Sequence, residues 1–348
     1  MILIKTNTKA YLKVLSQLLF ILFLVSCKAV GPDYEGAPEL EVPESWENQL
    51  NNEFIEASAS ETQWWILFND PVLNDLISRA AVDNLDAKIS LARVEAARAN
   101  LGIAEGAQLP ELDGVGDVSE KSSSKSTNGD RATSLYSSIG LDISWEIDIF
   151  GYVRRSIEAA DAQLERSVER YRDVMVILYA EIANNYVALR TAQERLQYAL
   201  ENVKSQKDTL RIVNARYEAE LVSEVDLLQS EQNLAAAESN IPLFFARINE
   251  LSNSLAILLG KNPGTLNSEL KQSYGIPHVP EKTVVQVPRE ILRQRPDIRE
   301  AERLLAQETA EVGIATAEEY PRFNLNGTFG YDSKEFDNQF SSDSRYWS

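Results

Sequence analysis

"LYSSIGLDISWEIDIF", residues 135–150, alternates between two kinds of side chain over its whole length. The odd positions are apolar except for Ser137, and the even positions include the carboxylates of Asp142, Glu146 and Asp148. Residues that alternate with a period of two lie on opposite faces of a β-strand. Strands of transmembrane barrels show this pattern over about ten residues, apolar outward and polar inward. We therefore predict a barrel strand here, and the alternative is a two-sided strand of a soluble sheet.

The chain contains an internal duplication. Residues 85–118 align without a gap on residues 296–329, so that each residue of the second copy stands 211 positions after its counterpart. A second alternating stretch, "RFNLNGTFGY" at residues 322–331, lies in the second copy. An ungapped repeat indicates two copies of one structural unit. The second copy stops at Ser348, so we expect it to be incomplete, with one barrel strand instead of two.

The segment after the first alternating stretch predicts a long helix. Gly151 and Gly260 enclose no further glycine, and apolar residues recur mostly at heptad spacing from Leu164 to Leu210. A heptad seam is typical of a helix that packs lengthwise against other helices. We predict one helix over residues 152–220, about 100 Å long.

A turn and a returning helix follow. Ser223 and Asp226 have the spacing of a capping box, which predicts a helix over residues 224–259. Pro242 is expected to bend this helix or to interrupt one of its hydrogen bonds. We predict a third helix over residues 72–108. It and the helix over residues 224–259 are each about 55 Å long. The fold class is therefore mainly α, with long antiparallel helical hairpins and transmembrane β-strands.

The N-terminus has the features of a secretory signal peptide. An apolar run over residues 14–25 follows three lysines and no acid. The run is shorter than the roughly 20 residues that span a bilayer as a helix. It leads into "LVSC", whose last residue, Cys27, is the only cysteine of the chain. This boundary resembles the bacterial lipobox, so we predict that residues 1–26 are removed and that Cys27 carries lipid such as palmitate. An ordinary buried cysteine is the alternative.

Composition argues against several classes of function. The 348 residues carry a net charge of −19, and without residues 1–26 the 31 basic and 53 acidic residues give −22. So acidic a chain would repel the phosphates of nucleic acid. The single histidine, His278, cannot build a zinc site alone. No set of acid, base and nucleophile indicates an enzyme. We predict no metal and no cofactor other than the lipid on Cys27.

The sequence divides into five predicted parts. Residues 1–26 are the lipoprotein signal peptide, and residues 27–70 are an extended, lipid-anchored segment. Residues 71–260 form the first repeat, with a helix, two barrel strands and the long hairpin. Residues 261–281 are a linker, and residues 282–348 are the incomplete second repeat, with a helix and one barrel strand.

Five stretches spread over residues 27–348 carry a family resemblance. They read "CKAVGPDY", "WWILFNDPVLNDLI", "NARYEAELVSEVDLLQSEQNL", "LAILLGKNPG" and "LRQRPDIREAERLLAQETAEVGIATAEEYPRFNLNGTFG". They resemble the TolC-like outer membrane factor family, specifically its lipoprotein (NodT-type) branch, which serves resistance-nodulation-division (RND) efflux pumps. In two respects the chain departs from the family: Glu220 stands where a glycine is usual, and we expect the fourth strand and the second hairpin, which carries the gate in the family, to be missing.

The resemblance implies a homotrimer in the bacterial outer membrane that extends into the periplasm. Each protomer would give four strands to a shared β-barrel and its helices to a periplasmic α-barrel. The expected partners are outer-membrane lipid, a periplasmic adaptor (membrane fusion) protein and an inner-membrane RND pump. The expected function is that of an exit duct, which passes drugs, toxic solutes or metal ions without changing them.

Two groups of residues are candidates for this function. The hairpin turn is a candidate adaptor contact, and its alternative role is that of an ordinary helix cap; its residues are Leu221, Val222, Ser223 and Glu224. The polar face of the first alternating stretch is a candidate lumen surface, and its alternative role is that of a solvated face without selectivity; its residues are Asp142, Ser144 and Glu146.

A rival interpretation is a lipid-anchored periplasmic coiled coil, either a structural protein or an adaptor. It explains Cys27 and the hairpin at residues 152–259 equally well. It does not explain alternating strands that stand between helices in both copies of the repeat.

Overall fold

The computed structural model describes residues 29–37, 54–56, 63–122, 124, 133–272, 274–278, 283–285 and 288–348. Cys27 lies outside these ranges. The α-helices of the described chain are α1 (Pro71–Asp83), α2 (Leu85–Gly106), α3 (Tyr152–Glu218), α4 (Glu224–Ser239), α5 (Ile241–Leu258), α6 (Pro288–Gln294) and α7 (Pro296–Ala317). The strands are β1 (Phe54–Glu56), β2 (Glu111–Ser122), β3 (Thr133–Ile147), β4 (Thr283–Val285), β5 (Phe323–Ser333) and β6 (Arg345–Trp347).

The chain divides into two compact units, and each is assembled from separate stretches of sequence. Unit 1 consists of Met1–Pro38, Glu95–Arg166 and Ala301–Ser348, and unit 2 consists of Glu39–Val94 and Ser167–Glu300. Each unit therefore takes residues from both copies of the repeat. The five parts expected from the sequence follow chain order instead, and their boundaries stay a prediction.

Unit 1 contains a four-stranded antiparallel sheet in the order β2-β3-β5-β6. The duplication is visible in the bounds of its elements. Helices α2 and α7 begin and end 211 residues apart, and the last residues of β2 and β5 are separated by the same interval. The predicted repeat is confirmed at the level of secondary structure.

Besides β5, the described part of the second copy contains the short strand β6, which the sequence did not predict. Strand β6 pairs with β5, with Tyr346 opposite Gly330. Thr328 and Ser348 exchange two further main-chain hydrogen bonds, at 3.0 and 3.1 Å. These bonds give the last residues of the chain a ladder partner, which the alternating pattern could not reveal over so few residues.

The helix predicted over residues 72–108 is two helices that meet at Asn84. This residue is extended, with ψ of 135°, and its side chain accepts a hydrogen bond from the main chain of Ala87 at 2.9 Å. Its amide also donates to the carbonyl of Leu258 at 2.9 Å. Asparagine competes for main-chain groups in this way and starts a new helix.

The returning helix is also divided, as Pro242 predicts. Helix α4 ends at Ser239, and Pro242 lies in the first turn of α5, where its missing N–H costs no hydrogen bond. The outgoing helix α3 is continuous over 67 residues, about 100 Å, close to the predicted bounds. No helix of the described ranges is both long and apolar enough to cross a membrane.

The core of unit 2 is built around the middle of the predicted heptad seam. Seam residues Leu178, Ile182, Tyr186 and Leu189 are fully or almost fully buried. They belong to one hydrophobic cluster with residues of α1 and α5, including Leu73, Leu76, Ile77, Leu251 and Leu255. The seam therefore specifies where α1 and α5 bury their apolar faces.

Candidate channel wall and hairpin tip

The turn between α3 and α4 closes α3 with a left-handed residue. Leu221 donates its N–H to the carbonyl of Arg216 at 2.9 Å, and Glu220 donates to Tyr217 at 2.8 Å. These are the two bonds of a Schellman motif. Glu220 has φ of +57°, a conformation that glycine adopts with less strain. The turn therefore keeps its geometry although glutamate stands at the glycine position.

The predicted capping box at the start of α4 is present. The Ser223 hydroxyl accepts from the Asp226 N–H at 3.3 Å, and the Asp226 carboxylate accepts from the Ser223 N–H at 2.9 Å. The Ser223 hydroxyl and N–H also hold the pKa of Asp226 below its usual value, because both donate to its charged form. The box therefore persists to more acidic pH than an unpaired aspartate would allow.

Three apolar side chains of the turn and of the first turns of α4 face solvent. Leu221 and Val225 are each 73% exposed, and Leu228 is 55% exposed. We call these three residues the tip surface. Of the candidates named from the sequence, Ser223 and Glu224 are also exposed, whereas Val222 is half-buried. Sequence reasoning missed Val225 and Leu228, although their spacing of three residues puts them on one side of a helix.

The strand register gathers carboxylates on one face of the sheet. Asp142 stands opposite Asp113 of β2, and Ser144 stands opposite Glu111. Ser138 is flanked by two acids, Asp117 on β2 and Asp332 on β5. Directly opposed residues share a face of the sheet. The four acids that accompany Asp142 were missed from the sequence; they are Glu111, Asp113, Asp117 and Asp332.

The third lumen candidate, Glu146, is neutralised by a neighbour. Arg322 donates two hydrogen bonds to its carboxylate, at 2.6 and 2.8 Å, and the guanidinium also lies 4.2 Å from the ring centre of Tyr152. Such a bidentate pair fixes both side chains. Of the three candidates, Asp142 therefore contributes the unneutralised charge, and Ser144 contributes none.

The opposite face of the same sheet is apolar and exposed. Ile139, Leu141 and Ile143 of β3 keep 45–47% of their surface, and Leu325 and Phe329 of β5 are similarly exposed. A soluble sheet would hide its apolar face and leave its polar face in water. Here the apolar face is open, which is the arrangement of a strand that faces lipid.

A polar network at the centre of unit 2 was not predicted from the sequence. The Tyr186 hydroxyl donates to the carboxylate of Asp70 at 2.7 Å, and Asp70 also caps α1. Burial first, and then this hydrogen bond, raise the pKa of Tyr186 to about 12. The fully buried Arg190 donates to the carbonyl of Gln272 at 2.7 Å and lies 4.8 Å from the Tyr186 ring. The network ties the segment after α5 to α3.

Comparison with known proteins decides the family. The profile described as "Outer membrane efflux protein" matches residues 76–261, which is more than half of the chain. The chain is a member of the outer membrane efflux protein family. This outer membrane efflux protein is 30% identical to Nodulation protein T of Rhizobium leguminosarum bv. trifolii over 89% of its own length. It is 27% identical to the cation efflux system protein CusC of Escherichia coli K12 over 94% of its length.

Solved structures give the same result. The outer-membrane channel OprN superposes with a TM-score of 0.82 at 32% identity, covering 92% of this efflux protein and 71% of OprN. A CusC crystal structure superposes with a TM-score of 0.77 at 26% identity and equal coverage. The predicted fold class, the outer-membrane location and the expectation of a channel family rather than an enzyme are confirmed.

The chain spans only part of the length of the proteins it resembles. It spans 65% of the length of the Rhizobium relative and 70% of the length of CusC. What the complete relatives transport and assemble with therefore enters below as a proposal.

Proposed function

We propose that this protein is the outer-membrane exit duct of a tripartite efflux pump and works as a homotrimer. The observation that carries the proposal is the sheet, whose apolar face is exposed while its opposite face gathers carboxylates. Three sheets joined edge to edge would enclose a polar lumen and present an apolar outer wall. Relatives named for cation, solvent and toluene efflux favour a small exported solute.

The acidic face of the sheet favours cationic or neutral solutes. We expect the protein expressed from its complete coding sequence to form a trimer that resists detergent before heating and to conduct with a preference for cations. Asp142→Asn should lower that preference, which is measured as a shift of the reversal potential in a salt gradient. Glu120→Gln is the matched control, because Glu120 pairs with Leu135 on the apolar face.

Equal shifts in the two variants would contradict a lumen role for Asp142. A protein that stays monomeric and never conducts would contradict the duct itself. That result would favour the rival function, a lipid-anchored coiled-coil protein.

The hairpin tip is the proposed contact for a periplasmic adaptor of an RND pump. Leu221 is the sharpest probe among the four candidates, because its exposed side chain takes no part in the capping box. Leu221→Asp should weaken crosslinking to the adaptor at least tenfold, since binding would bury an unpaired charge. Leu243→Asp, which changes a similarly exposed leucine on α5, should leave crosslinking unchanged. Equal loss in both variants would exclude the tip as the contact.

Lipidation of Cys27 is the proposed membrane anchor in addition to the barrel. Mass spectrometry of the mature N-terminus should find an acylated cysteine as residue one, without residues 1–26. A free thiol at Cys27, or residues retained before it, would refute the anchor.

A further inference from the structure

Residues 29–34, which follow the predicted anchor, are held against the body of unit 1. The Val30 N–H donates to the carbonyl of Phe150 at 3.0 Å, just after β3 ends. The Tyr34 hydroxyl donates to the carboxylate of Glu302 at 3.3 Å, and the Arg303 guanidinium lies 5.6 Å from the Tyr34 ring. The segment is therefore fixed at both of its ends.

One arginine holds the middle of the segment. Arg155, whose side chain is only 3% exposed, donates to the carbonyls of Val30 at 3.1 Å and Gly31 at 3.3 Å. It also forms ion pairs with Asp33 and Glu158, both at 2.6 Å. A buried guanidinium with all three nitrogens paired is costly to disturb, because its removal leaves main-chain carbonyls without donors.

Three glycines make the close packing possible. Gly31 has φ of +86°, and a Cβ there would stand 2.6 Å from the Cα of Gly313. A Cβ on Gly313 would stand 2.8 Å from Arg155, and a Cβ on Gly151, with φ of +91°, would overlap Ala29. The three glycines come from three distant parts of the chain. At each of the three positions, a side chain larger than hydrogen would collide with the segment, with Arg155 or with the helix beneath them.

We propose that residues 29–34 form a clamp, with Arg155 as its positioning residue, that fixes the lipid anchor relative to the membrane sheet. Cys27 precedes Val30 by three residues, so the anchor lies at most about 11 Å of chain from Val30, whose N–H is bonded to the carbonyl that follows β3. The acyl chains are thereby held at the level where the strand ends. A free tether of the same length would let the protein turn and tilt about its lipid.

The proposal rests on the lipidation of Cys27. The two tests below measure the clamp itself and do not require the lipid. The first test is hydrogen exchange of the Val30 amide in the full-length protein. Arg155→Met should accelerate this exchange at least tenfold, because the segment loses its central contacts. Arg172→Met is the matched control: Arg172 lies on the same helix and pairs with an acid three residues away, but it does not touch the segment. Arg155→Lys should give an intermediate rate.

The second test measures position directly. With Cys27 replaced by alanine, spin labels at Lys28→Cys and at the exposed Leu109→Cys should give a narrow distribution of distances. Adding Arg155→Met, or Gly31→Ala if that variant folds poorly, should broaden the distribution. A broad distribution in the parent protein, or exchange that Arg155→Met leaves unchanged, would overturn the clamp. Acylation found or missed by mass spectrometry would decide the anchor separately.

Discussion

Helices α2 and α7 are duplicates of equal length that bury different faces. Each has 22 residues, and their bounds differ by the repeat interval. Helix α2 buries Ala87, Ser90, Val94 and Ala97, whereas α7 buries Ala306, Ala310, Gly313 and Ala317. The buried positions of α7 correspond to residues 95, 99, 102 and 106 of α2. The two copies of the repeat share the same helix bounds. They differ in which face of the helix is buried against the rest of the protein.

Two pairs of equivalent residues show why α2 and α7 bury different faces. Gly102 of α2 has open space around it, whereas its counterpart Gly313 lies against Gly31 and Arg155. Lys88 of α2 forms an exposed ion pair of 3.7 Å with Asp83, whereas its counterpart Arg299 reaches the buried carboxylate of Glu169 at 2.9 Å. Helix α7 therefore contacts α3 and the N-terminal segment through Gly313 and Arg299, whereas the equivalent residues of α2 make no such contacts.

The largest expected contrast is between alanine substitutions at the two equivalent glycines. Gly313→Ala should destabilise unit 1 by about 1–3 kcal/mol, because the added methyl group displaces Arg155. Gly102→Ala should stabilise α2 by about 0.5–1 kcal/mol, because alanine is the better helix former in open space. Hydrogen exchange of α7 and α2 in detergent measures both effects. Changes of the same sign would refute the difference in packing.

A contrast of similar kind is expected between the strands. Gly330 of β5 faces Gly140 so closely that a Cβ would stand 2.7 Å from the carbonyl of Ile139, and Tyr346 covers the pair. Gly330→Ala should cost about 1–2 kcal/mol, since the strands must separate. Its counterpart, Ser119 of β2, lies opposite Tyr136 and already accommodates a side chain, so Ser119→Ala should change stability by less than about 0.5 kcal/mol. Thermal unfolding of the detergent-solubilised protein measures both; equal losses would contradict the close pairing.

Local patterns in the sequence predicted a large part of this structure. Alternation in β3 predicted both faces of the sheet, the heptad seam predicted the buried run from Leu178 to Leu189, and the spacing of Ser223 and Asp226 predicted the start of α4. Each of these signals lies within one element, where period and capping chemistry act.

The remaining features depend on contacts between distant residues. The break at Asn84 is made with Leu258, and the clamp joins Arg155 to a segment more than 120 residues earlier. The acids that join Asp142 on the polar face follow from the strand register, which alternation within a single strand does not specify. A single sequence has no local signal for such pairings, so neither the clamp nor the full set of candidate lumen residues was predicted.

The smallest expected effect distinguishes the two equivalent cations. Glu169 is buried and paired with both Arg299 and Arg172, so Arg299→Met leaves its carboxylate with one partner and should cost about 1 kcal/mol. Lys88→Met removes only a long surface pair, which contributes almost nothing. The measurement is urea unfolding of the detergent-solubilised protein, followed by hydrogen exchange of α3 around Glu169. If both variants unfold at the same urea concentration as the parent, Arg299 is as dispensable as its counterpart, and the second copy does not depend on its ion pairs for its distinct packing.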